Sequence, residues 1–380
     1  MQFPLCRHFG ECGGCSEDLS LKPPPIWEEV LSFFHPLIHA NLHQGPSFHW
    51  RHRAKMAVRG TALHPLIGLF KRSSHEVFPI PSCLVHHPSL NQAFDLVQFW
   101  MCEHALIPYE EKTGQGELRY LQGVVQRTSG RVQLTFVLNL DKGSSQAHLW
   151  KMLIHQLGEN NPSLWHSLWI NFNDRPTNTI LGSSWSYVWG EEYLWEQFRD
   201  VAVCYGPASF GQANLLLFER MLIRLRELLP KQACVAEFYA GIGVIGLFIA
   251  SSCQWVRCSE INPYAEAYFN QARSRLPSSV ASRLTFFSCA AHNAFSILND
   301  ATTVIVDPPR KGLDPRFFSA LKEACTVQQL LYISCGWEAF TRDCQKLCGE
   351  GWKIQSADGY LFFPGSNHVE LLVCFSRPSE

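Results

Sequence analysis

Near the carboxyl end, two side chains have the types and the setting for covalent chemistry on an electron-poor ring. The run Leu330-Leu-Tyr-Ile-Ser-Cys335-Gly reads as a strand ending in a cysteine, and a thiolate at a strand's carboxyl edge can add to such a ring carbon. Carbon 5 of a pyrimidine is a poor nucleophile, but thiolate addition at carbon 6 makes an enolate that can take a methyl group from a sulfonium. The adduct must then lose its carbon-5 proton to a general base before elimination frees the cysteine. Glu370, in His368-Val-Glu370, opens a wholly apolar run, an odd place for a solvated glutamate. It reads either as that base or as a surface residue at a strand start. Cys325, Cys344 and Cys348 read as small packing residues.

A second group suits a nucleoside-containing cofactor. In Glu237-Phe-Tyr-Ala-Gly241-Ile-Gly243-Val-Ile-Gly246 a strand turns into a helix through glycines, which let a ligand approach the backbone closely. Such a turn alone fits a dinucleotide site, a methyl-donor site or tight packing. Glu260, at the end of the next strand, can accept both ribose hydroxyls of an adenosine-containing cofactor. The dinucleotide and methyl-donor readings part at Val304-Ile-Val-Asp-Pro-Pro-Arg310. There two prolines fix the backbone after a strand and hold Asp307 where a cofactor's reactive end would lie. A dehydrogenase has no need of that element. Related turns in amino-methylating enzymes carry an aromatic where Arg310 stands, so base amino groups are the weaker target.

A third group opens the chain. Cys6-x5-Cys12-Gly-Gly-Cys15 is too dense for chance in a sequence with 15 cysteines. A zinc site would draw on His8, His86 or His87. Three grouped cysteines with a remote fourth fit a [4Fe–4S] cubane better, and Cys83, in Pro-Ser-Cys-Leu-Val-His-His-Pro, is the natural fourth ligand.

These groups need a scaffold that gathers strand ends. With 380 residues, 46% apolar and 17% charged, the chain has room for two or three globular domains. From about Leu215 helices alternate with short apolar strands (Val235–Tyr239, Val256–Glu260, Leu284–Phe287, Val304–Val306, Leu330–Ser334), which implies a parallel sheet with ligands at its carboxyl edge. The first half reads differently. Strand-like runs at Leu118–Gln126, Val132–Leu140, Leu168–Asn173, Thr179–Leu181 and Tyr187–Trp189, with helices such as Pro25–Ile38 and Leu90–Cys102, predict a mostly antiparallel α+β region. The boundary falls near residue 200. A formal charge of -1 argues against gripping nucleic acid by overall basicity. Locally, however, Val30–His75 holds no acidic residue while Arg51, Arg53, Lys55, Arg59, Lys71 and Arg72 supply positive charge. That segment is either a solvated strand face or a stripe for phosphates. A polar start without an apolar core segment, abundant odd thiols and no long apolar stretch point to a cytoplasmic protein without a membrane span.

Taken in order, these motifs resemble the RNA uracil-C5 methyltransferase family over the whole chain. The matching elements are Phe210-Gly-Gln212-Ala-Asn214, Phe-Tyr239-Ala-Gly-Ile-Gly, Glu260, Asp307-Pro-Pro-Arg310-Lys-Gly-Leu, Ser334-Cys335, Phe363-Pro and His368-Val-Glu370. The resemblance implies an α/β fold: a C-terminal Rossmann-like S-adenosyl-L-methionine (SAM) methyltransferase domain over 201–380, preceded by an α+β, mostly antiparallel part. That part divides into a cluster-bearing basic strand region at 1–95 and an RNA-recognition region at 96–200. It implies Cys335 as nucleophile and Glu370 as base. Gln212, Tyr239, Glu260 and Asp307 would line the SAM and uracil pocket, with Asp307 also suited to hold the ring's N3 hydrogen. The family's rRNA branch carries a [4Fe–4S] cluster on this cysteine pattern, here Cys6, Cys12, Cys15 and Cys83. Beginning at those cysteines without an added β-barrel, and with Gly116-Glu-Leu-Arg-Tyr120, the chain is similar to the short 23S rRNA enzymes of the RlmC type. A flipped uridine of a 23S rRNA loop would then enter beside Phe210 and Cys335, in a protein acting as a monomer. The sequence departs from the family at Glu237, usually aspartate, at Val244, often asparagine, and at Gly336-Trp337, commonly Asn-Pro. Those departures motivate one competing expectation, a catalytically silent RNA-binding factor on the same fold. A Fe–S redox protein is the other.

Overall fold

The change of pattern near residue 200 corresponds to two sheets of different kind in the computed structural model, which describes residues 6–19, 23–175 and 179–377. The chain runs α1 (Ile26–Phe34), β1 (Ala40–His43), β2 (Arg53–Gly60), β3 (Pro65–Phe70), β4 (Val77–Pro79), α2 (Pro88–Glu103), β5 (Leu118–Val125), β6 (Val132–Leu138), α3 (Ser145–Asn160), β7 (Trp165–Phe172) and β8 (Ser184–Gly190). A hairpin of β9 (Leu194–Phe198) and β10 (Val201–Tyr205) leads to α4 (Leu215–Leu228), β11 (Ala233–Phe238), α5 (Val244–Ile249), β12 (Cys253–Glu260), α6 (Ala265–Arg273) and α7 (Ser278–Ala281). Last come β13 (Leu284–Ser288), β14 (Thr303–Val306), α8 (Pro315–Glu323), β15 (Gln329–Ser334), α9 (Trp337–Gly349), β16 (Lys353–Tyr360) and β17 (Glu370–Ser376).

Among the described residues the first sheet has the order β4-β3-β2-β5-β6-β7-β8 and is antiparallel except where β6 and β7 run parallel. The crossover between that parallel pair needs a helix, and α3 supplies it. Ser144 caps α3 by accepting from Ala147 N–H, and Trp150, Ile154 and Leu157 bury its inner face. α2 starts with His87 accepting from Ser89 N–H and Pro88 in the first turn, and it covers the same face of the sheet with Leu90, Phe94, Val97 and Trp100. The sequence reading missed α3, whose regular inner stripe is blurred by the exposed apolar residues Leu149 and Met152 on its outer face. It also placed a strand at Thr179–Leu181. That segment is irregular chain, held because Asn173 Nδ2 donates to the Thr179 and Ile180 carbonyls in place of a strand ladder.

The second sheet has the order β1-β16-β17-β15-β14-β11-β12-β13. All its pairs are parallel apart from those made by β17. Its central strands, buried on both faces, explain the short continuous apolar runs. β1 comes from the far end of the chain and pairs in parallel with β16, Ala40 facing Ala357. His43 of β1 lies 2.9 Å from the buried Asp358, which also accepts from Arg224 Nε at 3.0 Å. Among the described residues no helix is long and apolar enough to cross a membrane.

Most cations of the basic segment bond to protein groups, while Lys55 on β2 is exposed, as are Lys71 and Arg72. Arg53 donates to Ser209 O (2.9 Å), Lys71 pairs with Glu76 (2.8 Å), Arg59 pairs with Glu111, and Arg72 donates to the Cys15 carbonyl. Arg51 lies over the rings of Trp50 and Phe363, at 4.6 and 5.6 Å.

Candidate active site

Strand order decides which side chains meet. β17, β15, β14, β11 and β12 are consecutive neighbours. Glu370 opens β17, Cys335 follows the last residue of β15, Asp307 follows β14, Tyr239 follows β11, and Glu260 ends β12. These five therefore stand in a row along one edge of the sheet. The ladder pairs Ser334 with Leu371, so the next residue of each strand brings Cys335 and Glu370 side by side.

The row is electrostatically tense. Glu370 is buried, and burial, reinforced by Asp307 and opposed by Arg310, pushes its carboxyl up to about 8. Burial and Glu260 push Asp307 up to about 7. The Cys335 thiol is raised by burial, Glu370 and Asp307, with Arg310 opposing. Gly336 must stay small for a packing reason: a Cβ there would lie 2.9 Å from the Arg310 carbonyl oxygen.

At the other end of the row the loop after β11 is built for a ligand. Glu260 accepts from Gly241 N–H (2.9 Å) and Asn262 N–H (2.8 Å), which fixes both carboxylate oxygens beside the glycine turn. Gly243 caps α5 at φ 75°, and a Cβ there would meet Phe269 at 2.4 Å. A cavity of about 660 Å³ opens beside it, lined by Tyr239, Glu260, Ile261, Ala290, Leu313 and Phe318, within the range of small-ligand sites. Glu237 lies beneath. It accepts from Cys258 Sγ at 3.1 Å, and burial holds its carboxyl up to about 8. Gln212 is in the loop before α4, whose cap Asn214 accepts from Leu217 N–H and donates to the Phe362 carbonyl. Phe210 in that loop is 70% exposed, next to Ser209, whose carbonyl accepts from Arg53.

Cys6, Cys12, Cys15 and Cys83 line a separate cavity of about 120 Å³, floored by Ala54, Lys55 and Met56 of β2. The two glycines between Cys12 and Cys15 are forced by contact: a Cβ on Gly13 would sit 2.4 Å from Phe70 O, and one on Gly14 would sit 3.0 Å from Leu69. Gly14 N–H donates to Cys12 Sγ at 3.3 Å. Among the described residues no three Cys, His, Asp or Glu side chains converge as a single metal ion would require. The four thiols thus line one cavity, with a main-chain N–H on one sulfur.

Two relationships were not visible from spacing. His368 Nε2 lies 2.7 Å from the Cys335 carbonyl oxygen, and the Cys15–Glu17 segment bonds to the turn before His368. Glu17 N–H donates to Gly365 O (3.1 Å), Asn367 N–H donates to Ser16 Oγ (2.9 Å), and a Cβ on Gly365 would lie 3.1 Å from Cys15 Sγ. The one signal in the sequence was His368 two places before Glu370.

Residues 186–378 match the family model for tRNA (uracil-5-)-methyltransferase. An uncharacterized RNA methyltransferase of Protochlamydia amoebophila (strain UWE25) is 46% identical over 385 residues, covering 99% of this chain and 100% of its own. One of Geobacter sulfurreducens is 27% identical over 97% of this chain and 76% of its own. Among solved structures, the Pyrococcus abyssi tRNA (uracil-54, C5)-methyltransferase in complex with S-adenosyl-L-homocysteine has a TM-score of 0.74 at 21% identity, covering 90% of this chain and 81% of that one. That likeness concerns the fold. With half its length matching the family model and a whole-length relative at 46% identity, the chain belongs to the tRNA (uracil-5-)-methyltransferase family.

Proposed function

We propose that the protein methylates carbon 5 of a specific uridine in 23S rRNA, with SAM as donor. The observation that carries this reading is the row of Glu370, Cys335, Asp307, Tyr239 and Glu260 at five neighbouring strand ends. At the usual strand spacing the row separates Cys335 from Glu260 by roughly 14 Å, room for a methyl donor and a pyrimidine set end to end. When bound, SAM supplies an electrophilic methyl on a sulfonium.

The protein's own groups do the rest. Glu260 takes the ribose hydroxyls, and Tyr239 and Gln212 line the donor and uracil pocket. Asp307 holds N3 of the flipped uracil. Cys335, once deprotonated, forms a bond to C6 and makes C5 nucleophilic; C5 takes the methyl, Glu370 removes the C5 proton, and the C6–S bond breaks to regenerate the thiolate. A carboxyl lifted to about 8 is a far stronger base than an ordinary glutamate once ionised.

Cys6, Cys12, Cys15 and Cys83 hold a [4Fe–4S] cluster in this reading, with a structural role at the base of β2. The cluster is what favours rRNA over tRNA, since it belongs to the rRNA branch that the sequence resembles. Residues 201–380, with α1 and β1 built into their core and sheet, carry the chemistry, and the rest of 1–95 together with 96–200 presents the RNA loop to a cytoplasmic, monomeric enzyme. The test is incubation of unmodified 23S rRNA and of tRNA transcripts with methyl-labelled SAM, followed by nucleoside mapping. Label on uracil C5 of 23S rRNA, lost in Cys335→Ala, supports the reading. Label on tRNA alone removes the rRNA assignment, and label on neither removes the activity.

A further inference from the structure

We propose that His368 is the positioning residue of the nucleophile: its imidazole fastens the Cys335 peptide to the strand that carries Glu370. This rests on the assignment of Cys335 and Glu370 above. The β15–β17 ladder ends at Ser334 and Leu371, while β14 pairs with β15 only as far as Tyr332. Glu370 is still held, because β16 pairs Tyr360 with it. Cys335 has left the ladder. Its peptide is steadied by the Ser334 hydroxyl, which bonds Gly336 N–H and O at 3.2 Å, and by His368 from the opposite strand at 2.7 Å. A carbonyl oxygen only accepts, so the imidazole carries its hydrogen on Nε2.

The ring itself is braced. Phe363 meets it edge-on at 5.5 Å, and Phe363 in turn packs on Trp50 at 5.8 Å. Burial, with Arg310, lowers the imidazole's affinity for a second proton, while the carbonyl bond opposes them. Nδ1 is buried with no protein partner. What the residue does supply is one donor aimed at the nucleophile's main chain.

The geometry matters because the sulfur must reach C6 while the carboxylate reaches the proton on C5, adjacent atoms of one ring. A slip of about 1 Å between the two peptides can slow such a step by about 10²-fold.

The test uses two substitutions of similar volume that differ in the donor. His368→Gln keeps an amide N–H; His368→Met does not. The readouts are kcat, KM for SAM, and the rate at which the full-length protein forms a covalent complex with RNA containing 5-fluorouridine, which stalls after methyl transfer for want of a removable C5 proton. His368→Gln should form the complex within several-fold of the parent, and His368→Met roughly 10²-fold more slowly. KM for SAM should change less than about twofold in both, since uniform binding is untouched. Equal rates for Gln and Met would overturn the proposal, as would a Met variant whose loss lies wholly in KM. Cys335→Ala run in parallel separates the two claims: a covalent complex in that variant sinks the nucleophile assignment itself.

Discussion

Cys335 and Glu370 are neighbours because two antiparallel strands stop one residue apart: Ser334 faces Leu371, and the next residue on each side is the thiol or the carboxyl. In the proposed mechanism this neighbourhood lets nucleophile and base approach the same edge of a ring. Glu370→Gln should leave methyl transfer possible and block proton removal. We expect turnover to fall by about 10²- to 10⁴-fold while a methylated RNA–protein adduct builds up, seen as a shifted band on a denaturing gel. Slow turnover without any such band would remove Glu370 as the base.

The pH dependence follows from the same burial. Glu237 and Glu370 both have carboxyls held up to about 8, against an ordinary value of 4.5. A folded-state value raised above the unfolded one favours the folded protein fully below pH 4.5, and that advantage is lost as pH rises through 8. The donor-free protein should lose urea stability between pH 5 and 8, by up to ~1 kcal/mol per pH unit for each group. Glu237→Gln should flatten part of the slope; an unchanged slope would show that Glu237 is not the buried acid responsible. Methylation should run the other way and speed up with pH across this range, since Glu370 works as the ionised base.

The two glycines of the donor loop should respond unequally. Gly243→Ala meets both a left-handed backbone at φ 75° and the Phe269 ring at 2.4 Å, whereas Gly241→Ala, at φ 56°, meets no atom within 4 Å. Backbone strain alone costs about 1–3 kcal/mol. Gly241→Ala should lose roughly that in thermal or urea unfolding, and Gly243→Ala more, with weaker S-adenosyl-L-homocysteine binding by calorimetry. The reverse order would mean that α5 can shift away from Phe269.

Purified without oxygen, the protein should carry about four irons and four sulfides and absorb in the visible as a cubane does. Cys83→Ser and Cys12→Ser should each lower both contents. Stoichiometric zinc without sulfide would replace the cluster by a single-ion site.

Much of the site was legible because its residues punctuate strands. Cysteine after an apolar strand, Asp-Pro-Pro after another and an acid ending a third are local signals, and parallel-sheet topology turns local strand ends into one shared edge. Less legible was whatever depended on partners distant in sequence. The partners of Arg53, Arg59 and Arg72 in Val30–His75 could not be read from the sequence, because Ser209 O, the Glu111 carboxylate and the Cys15 carbonyl lie far from them along the chain. α3 has the helical spacing Ala147, Trp150, Ile154, Leu157, but apolar Leu149 and Met152 on its exposed face blur that stripe.

β1 joins the catalytic sheet from the opposite end of the chain. During synthesis Ala40–His43 leaves the ribosome long before β16, its sheet neighbour among the described residues, has been translated. The edge of the catalytic sheet is thus a closing step, taken only when nearly all the chain is out, and a long-range contact of this kind forms late and slowly. A nascent chain stalled before Lys353 would hold an unpaired β1 and lack the Glu370 strand altogether. Closure of this sheet edge therefore waits on the same C-terminal stretch of chain that carries Glu370.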